Sequence, residues 1–207
     1  MIEIKNWQSR IALKEIYRYM GMKEREADDS IRTAVEAQLA RLLDIARARF
    51  CYQIFPLCFG KVDFTLGSVR IQSRDLRKNL TGCDMAALFG VTLGLEVDRL
   101  IYRLSQTAMG EAAITDACAA AAVEALCDEL CEKLREEAQK RKREIRPRFS
   151  PGFGDFTLAY QPCLLQALNL SGRIGVCLTD GGMMTPAKSV TAVVGFARPE
   201  SGLFQVK

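Results

Sequence analysis

The chain has 207 residues, 49% apolar and 26% charged, with a formal net charge of +4. That is enough apolar material for the core of one domain, or of a main domain with a small appendage, at the charge content of an ordinary soluble protein. It contains no histidine, which excludes Ser-His-Asp and Cys-His catalysis within this chain and removes the commonest nitrogen ligand for a metal.

No apolar run approaches the roughly 18 residues needed to span a bilayer. The first seven residues lack a basic stretch followed by an apolar one, so no secretory signal and a cytoplasmic location are expected. Eight cysteines lie at positions 51, 58, 83, 118, 127, 131, 163 and 177, with no Cys-x-x-Cys. Such cysteines in an intracellular chain fit small buried hydrophobes better than a disulfide or metal framework. Cys127 and Cys131, one helical turn apart, would need two further ligands to hold a metal.

In chain order, residues 7–20 show helical spacing (Ile11, Ile16, Tyr19, Met20) and stop at Gly21. Residues 23–49 predict a second helix marked by Ile31, Val35, Leu39, Leu42 and Ile45. Acidic residues crowd its start and Arg47 and Arg49 its end, in agreement with the helix dipole. Short β-branched and aromatic runs at 51–56, 62–66 and 69–72, separated by Pro56, Gly60 and Gly67, predict strands. Ser73 is placed to cap a helical turn over 74–80. The nearly all-apolar run 85–93 predicts a strand buried on both faces.

Helical spacing returns over 94–104, and Gly110 separates that helix from a longer one over 111–141. Within the long helix, residues 117–127 are mostly Ala and Cys, with Glu124 as the one charged residue. Glu124 shares a face with Ala120, Cys127 and Cys131. It is either an exposed polar-side residue or a carboxylate that requires a partner if buried. Further on, a short helix over 161–168 with Pro162 in its first turn, a turn at 169–173, strands at 174–178 and 189–196, a turn at 180–182 and a final edge strand at 203–206 are expected. Strands flanking a helical middle define an α+β fold, a mostly antiparallel twisted sheet with flanking helices. The domain division expected is an N-terminal helical segment, 1–50, packing on a main domain, 51–207.

Residues 133–148 carry eight Lys/Arg against three Glu. That run could be a nucleic-acid footprint, but Glu129 with Lys133, Glu136 with Lys140 and Glu137 with Arg141 have the spacing of a self-paired, solvated helix. Immediately after comes Arg146-Pro-Arg148-Phe-Ser-Pro151-Gly152-Phe153-Gly154-Asp-Phe-Thr-Leu158. Prolines fix φ and glycines allow close backbone approach, so this loop has little freedom. It is either a stiff helix-to-strand connection or a loop binding a ligand with a carboxylate and an aromatic or sulfur-bearing body, Arg148 supplying the cation. Gly152-Phe-Gly154 is not a dinucleotide fingerprint, because no strand precedes it and no third glycine follows.

Arg148-Phe-Ser-Pro151-Gly152-Phe153 resembles the Arg-x-x-Pro-Gly-aromatic loop of the reactivation (activation) domain of cobalamin-dependent methionine synthase. The segment from Ala122 to Arg135 is similar to the family's helix carrying a ligand-binding glutamate, and Glu124 falls on that position. Residues 90–94 and 178–190 also resemble family strand segments, so the likeness covers roughly 80–200. The resemblance implies a domain that binds S-adenosylmethionine and supports reductive remethylation of the cobalamin of a separately encoded methionine synthase chain, with a flavodoxin-like electron donor. On that basis the chain is a component of the methyltransferase rather than a complete enzyme. By carry-over, Arg148 would pair with the methionyl carboxylate and Glu124 would meet the ligand's α-ammonium. Pro151 and Gly152 would shape a close backbone approach, and Phe153 would face the adenosyl or corrin side, where the family often has Tyr. Alternative functions are an activator of another corrinoid methyltransferase and a binding module, including a nucleic-acid binder through residues 133–148.

Overall fold

The computed structural model describes residues 7–199, so the edge strand expected at 203–206 lies outside the described residues. In chain order the elements are α1 (Leu13–Tyr19), α2 (Asp29–Ile45), β1 (Arg49–Phe59), β2 (Phe64–Leu66), β3 (Val69–Ile71), α3 (Arg74–Asn79), β4 (Cys83–Thr92), α4 (Leu95–Thr107), α5 (Met109–Lys140), β5 (Glu144–Ile145), α6 (Gln161–Leu168), α7 (Leu170–Ile174), β6 (Cys177–Leu178), β7 (Met184–Thr185) and β8 (Ser189–Ala197). The fold is α+β: a six-stranded antiparallel sheet of order β3-β2-β1-β4-β8-β5 with flanking helices, and a separate β6-β7 ribbon.

The strands follow from their composition. Residues Ala86 to Val91 of β4 are fully or almost fully buried, and β8 is buried from Thr191 to its end. Continuous apolar runs suit strands covered on both faces. The β2–β3 hairpin instead alternates, burying Val69 and Ile71 while Arg70 faces solvent. β1 runs on through Pro56; its pairing with β2 begins only at Leu57↔Leu66, past the residue that has no donor to offer.

The chain divides into two compact units, one of Met1–Phe50, Val91–Leu130 and Leu170–Val190, the other of Cys51–Gly90, Cys131–Asn169 and Thr191–Lys207. In the first, Leu100, Leu104 and Ala112 cluster with half-buried Ile45. Buried Gln38 is satisfied there: its amide N–H donates to Glu111 at 2.9 Å and its carbonyl accepts the Thr115 hydroxyl at 3.1 Å. Arg10 pairs with the buried carboxylate of Glu129. In the second unit, Phe64, Phe89, Phe156 and Phe196 are among the largest fully buried side chains, each worth about 1.5–3 kcal/mol of burial.

Several boundaries differ from those expected. The helix predicted over 23–49 is shorter, because the Asp28 carboxylate accepts the Ile31 N–H at 2.8 Å and caps α2 there, leaving Glu24–Glu26 as a separate 3-10 turn. It ends at Ile45, after which the Arg47 N–H pairs with Leu93 O at 2.8 Å. Gly110 lies inside α5, and the break before it falls at Ala108. The expected turn at 169–173 is a left-handed Asn169 followed by α7, which shortens the next strand to β6. Ser73 does cap α3, its hydroxyl accepting the Leu76 N–H at 3.0 Å.

Candidate functional site

The loop after α5 is anchored at both ends within the second unit. β5 pairs with β8 at Ile145↔Phe196. The Arg146 N–H then donates to Gly195 O at 2.8 Å, and Phe149 and Val193 exchange two bonds at 2.9 Å. The loop turns back on itself through Phe153 N–H to Ser150 O at 3.2 Å, Gly152 N–H to Phe156 O at 2.7 Å and Phe156 N–H to Phe153 O at 3.0 Å. Gly152 has φ +99, a conformation a side chain resists. Phe156 closes the loop in the core, 5.3 Å from the Tyr160 ring. Phe153 is left 64% exposed, its ring 6.2 Å from Phe149 and tilted edge-on.

The loop tip is also tied to α3. Asp155 accepts from the Ser73 hydroxyl at 2.6 Å and from the backbone N–H groups of Arg74 at 2.8 Å and Asp75 at 3.1 Å. The reverse bond runs from the Asp155 N–H to the Asp75 carboxylate at 3.2 Å. The Ser73 hydroxyl, then the two backbone donors, hold the Asp155 carboxyl down at about 2, because each stabilises the charged form. Nearby, the Tyr160 hydroxyl accepts the Gln72 N–H at 2.9 Å and donates to Gln72 O at 3.2 Å.

Beside the tip lies an open groove of about 640 Å³ lined by Asp75, Lys78, Asn79, Arg146, Phe149 and Phe153, among others. Cations with an aromatic wall suit a ligand with an anionic end and a flat apolar body, and the size falls within the usual range of about 300–1,000 Å³ for small-molecule sites. Of the residues singled out in the sequence, Arg148, Pro151, Gly152 and Phe153 stand together in this loop, with Arg148 and Pro151 half-buried and Gly152 and Phe153 exposed. Glu124 belongs to α5 in the first unit and is half-buried among Val123, Ala125 and Leu126, all buried. Sequence reasoning missed Asp155 and Asp75, whose partners are some 80 positions away.

The basic stretch is largely neutralised by neighbours. Lys133 pairs with Glu136 at 3.1 Å, Arg135 with Glu132, Lys140 and Arg141 with Glu137 at 2.7 and 2.8 Å, and Arg143 with Asp84 at 2.7 Å. Of the predicted pairs, Glu137–Arg141 forms, whereas Lys140 reaches Glu137 at three residues' separation. Cys51, Cys83, Cys118 and Cys127 are buried as expected, and burial pushes the Cys118 thiol up to about 12. Cys58, Cys163 and Cys177 are exposed, contrary to that expectation. No helix among the described residues is long and apolar enough to cross a membrane.

Residues 75–207 match the family described as vitamin B12 dependent methionine synthase, activation domain. Among solved structures, the chain is similar to a crystal structure of the MetH reactivation domain bound to AdoHcy, at 18% identity and a TM-score of 0.72, covering 98% of this chain and 78% of that one. No curated protein matches it in sequence.

Proposed function

This chain belongs to the activation-domain family of vitamin B12-dependent methionine synthase, and from that premise we propose that it binds S-adenosylmethionine and supports reductive remethylation of the cobalamin of a separately encoded methionine synthase. The observation that carries the reading is the family match across residues 75–207, which spans both Glu124 and the loop from Arg148 to Phe153. The AdoHcy in the similar reactivation domain is what S-adenosylmethionine becomes on losing its methyl group, which favours the same ligand class here. The reacting centres are the ligand's sulfonium and a cobalt held by the partner, with electrons from a flavodoxin-like donor. What this chain supplies is positioning and electrostatics, a role that needs no histidine. A cytoplasmic location goes with this role.

The Arg148 guanidinium is assigned to the methionyl carboxylate, where a planar fork of donors suits two acceptor oxygens. Glu124 is assigned to the α-ammonium. Phe153, exposed at the tip, is assigned to the adenosyl or corrin side, and Pro151 and Gly152 set the course of the backbone around it. Calorimetry with S-adenosylmethionine, with and without the cobalamin-binding chain, tests the reading. Binding in at least one arm is expected, and no heat in either arm refutes it. Arg148→Ala should weaken binding by ten- to a hundredfold, the loss of a charge-assisted contact worth about 1.5–3 kcal/mol. Glu124→Gln should weaken it by less, since a neutral amide still accepts a hydrogen bond.

A further inference from the structure

We infer that Asp155, acting with Asp75 and Gly154, is a positioning residue that holds the 148–153 loop in its ligand-binding conformation, an inference that rests on the S-adenosylmethionine reading above. Gly152, Phe153 and Gly154 are all exposed, so apart from the loop's own backbone bonds and the buried Phe156 the tip has little apolar hold. What ties it to α3 is polar, and those ties converge on one carboxylate. Asp155 Oδ1 accepts the Ser73 hydroxyl and the Asp75 N–H, while Oδ2 accepts the Arg74 N–H. Arg74 and Asp75 open α3, and the first N–H groups of a helix have no partner within it. Asp155 supplies that partner from a distant part of the chain.

The tie is reciprocal. The Asp75 carboxylate accepts the Asp155 N–H at 3.2 Å, so α3 and the loop each satisfy a backbone group of the other. Gly154 is the steric condition for this closeness: a Cβ at that position would collide with Asp75 Oδ2. Gly154 and Asp155 directly follow Phe153, so what they fix is the exit of the loop from its most exposed side chain. A loop that samples other conformations binds with an affinity reduced by the fraction of time it is competent, and the clamp raises that fraction.

The test compares wild type, Asp155→Asn, Asp155→Ala and Arg148→Ala by amide hydrogen exchange and by calorimetry with S-adenosylmethionine, in whichever arm, with or without the cobalamin-binding chain, wild type binds. Asp155→Ala should speed exchange at residues 74–76 and 152–156 and weaken binding about tenfold. Asp155→Asn should fall between it and wild type, because the remaining carbonyl oxygen can keep the Ser73 and Asp75 bonds. Arg148→Ala should lose affinity without losing that local protection. The inference is overturned if Asp155→Ala binds as wild type does, if its loop amides keep wild-type protection, or if exchange accelerates equally through β4 and β8. Absence of binding by wild type in both arms refutes the ligand assignment instead, while exchange still decides whether the clamp holds the loop.

Discussion

At Gly152 and Gly154 the same residue type meets two different requirements. Gly152 has φ +99, but a Cβ there would have room, its nearest neighbour being Leu158 Cδ2 at 3.5 Å. Gly152→Ala should therefore cost only backbone strain, about 1–2 kcal/mol, and leave the α3 amides protected. Gly154 has φ +52, a region some side chains tolerate, yet its Cβ would strike the Asp75 carboxylate. Gly154→Ala should break the clamp, with exchange at Arg74 and Asp75 accelerating; urea denaturation and exchange of the two variants separate the mechanisms. The stiffness of this loop was legible in the sequence because Pro and Gly act on their own backbone. The clamp was not, because Asp155 meets Ser73, Arg74 and Asp75 at separations of 82, 81 and 80 residues. No local spacing encodes such a contact.

Among the elements, those with long apolar runs or a local cap could be read directly: β4 and β8 from their continuous hydrophobicity, α3 from Ser73, α6 from Pro162. β5 could not. It is two residues long, hidden at the end of a cationic run, and exists only because β8 returns some fifty residues later with Phe196 and Ala197 in register. Electrostatics tie down its approach. The Arg143 guanidinium donates to both carboxylate oxygens of Asp84, at 3.0 and 2.7 Å, beside the start of β4. Arg198 donates to the same carboxylate at 3.0 Å, so Asp84 keeps one partner when the other is lost. Arg143→Ala should for that reason destabilise the protein only slightly, as the loss of a partly exposed ion pair does, while exchange at Glu144 and Ile145 rises. A large loss, measured by urea denaturation, would mean that this pair organises more than the strand's entry.

For the whole molecule, the acid limb of stability can be assigned to specific carboxylates. The chain has no histidine, so no imidazole titrates between pH 5 and 8. Asp84 is held at about 2, first by the Arg143 hydrogen bonds, which outweigh the opposing desolvation, and then by Arg198. Asp155 is held at about 2 by Ser73, Arg74 and Asp75. An unfolded aspartate titrates near 3.9, so both folded values are depressed. A depressed carboxylate adds stability that is fully present above the unfolded value and is lost as pH falls through the folded one. The midpoint of thermal unfolding should therefore be nearly flat from pH 8 to about 5 and decline between about pH 4 and 2. Asp84→Asn and Asp155→Asn should each lower stability at pH 7 and make the acid decline shallower. Because both carboxylates lie in the unit of Cys51–Gly90, Cys131–Asn169 and Thr191–Lys207, loss of amide protection at pH 3 should begin around α3, β5 and the 150–156 loop. Protection lost first in α2 or α4 would place the acid-sensitive contacts elsewhere.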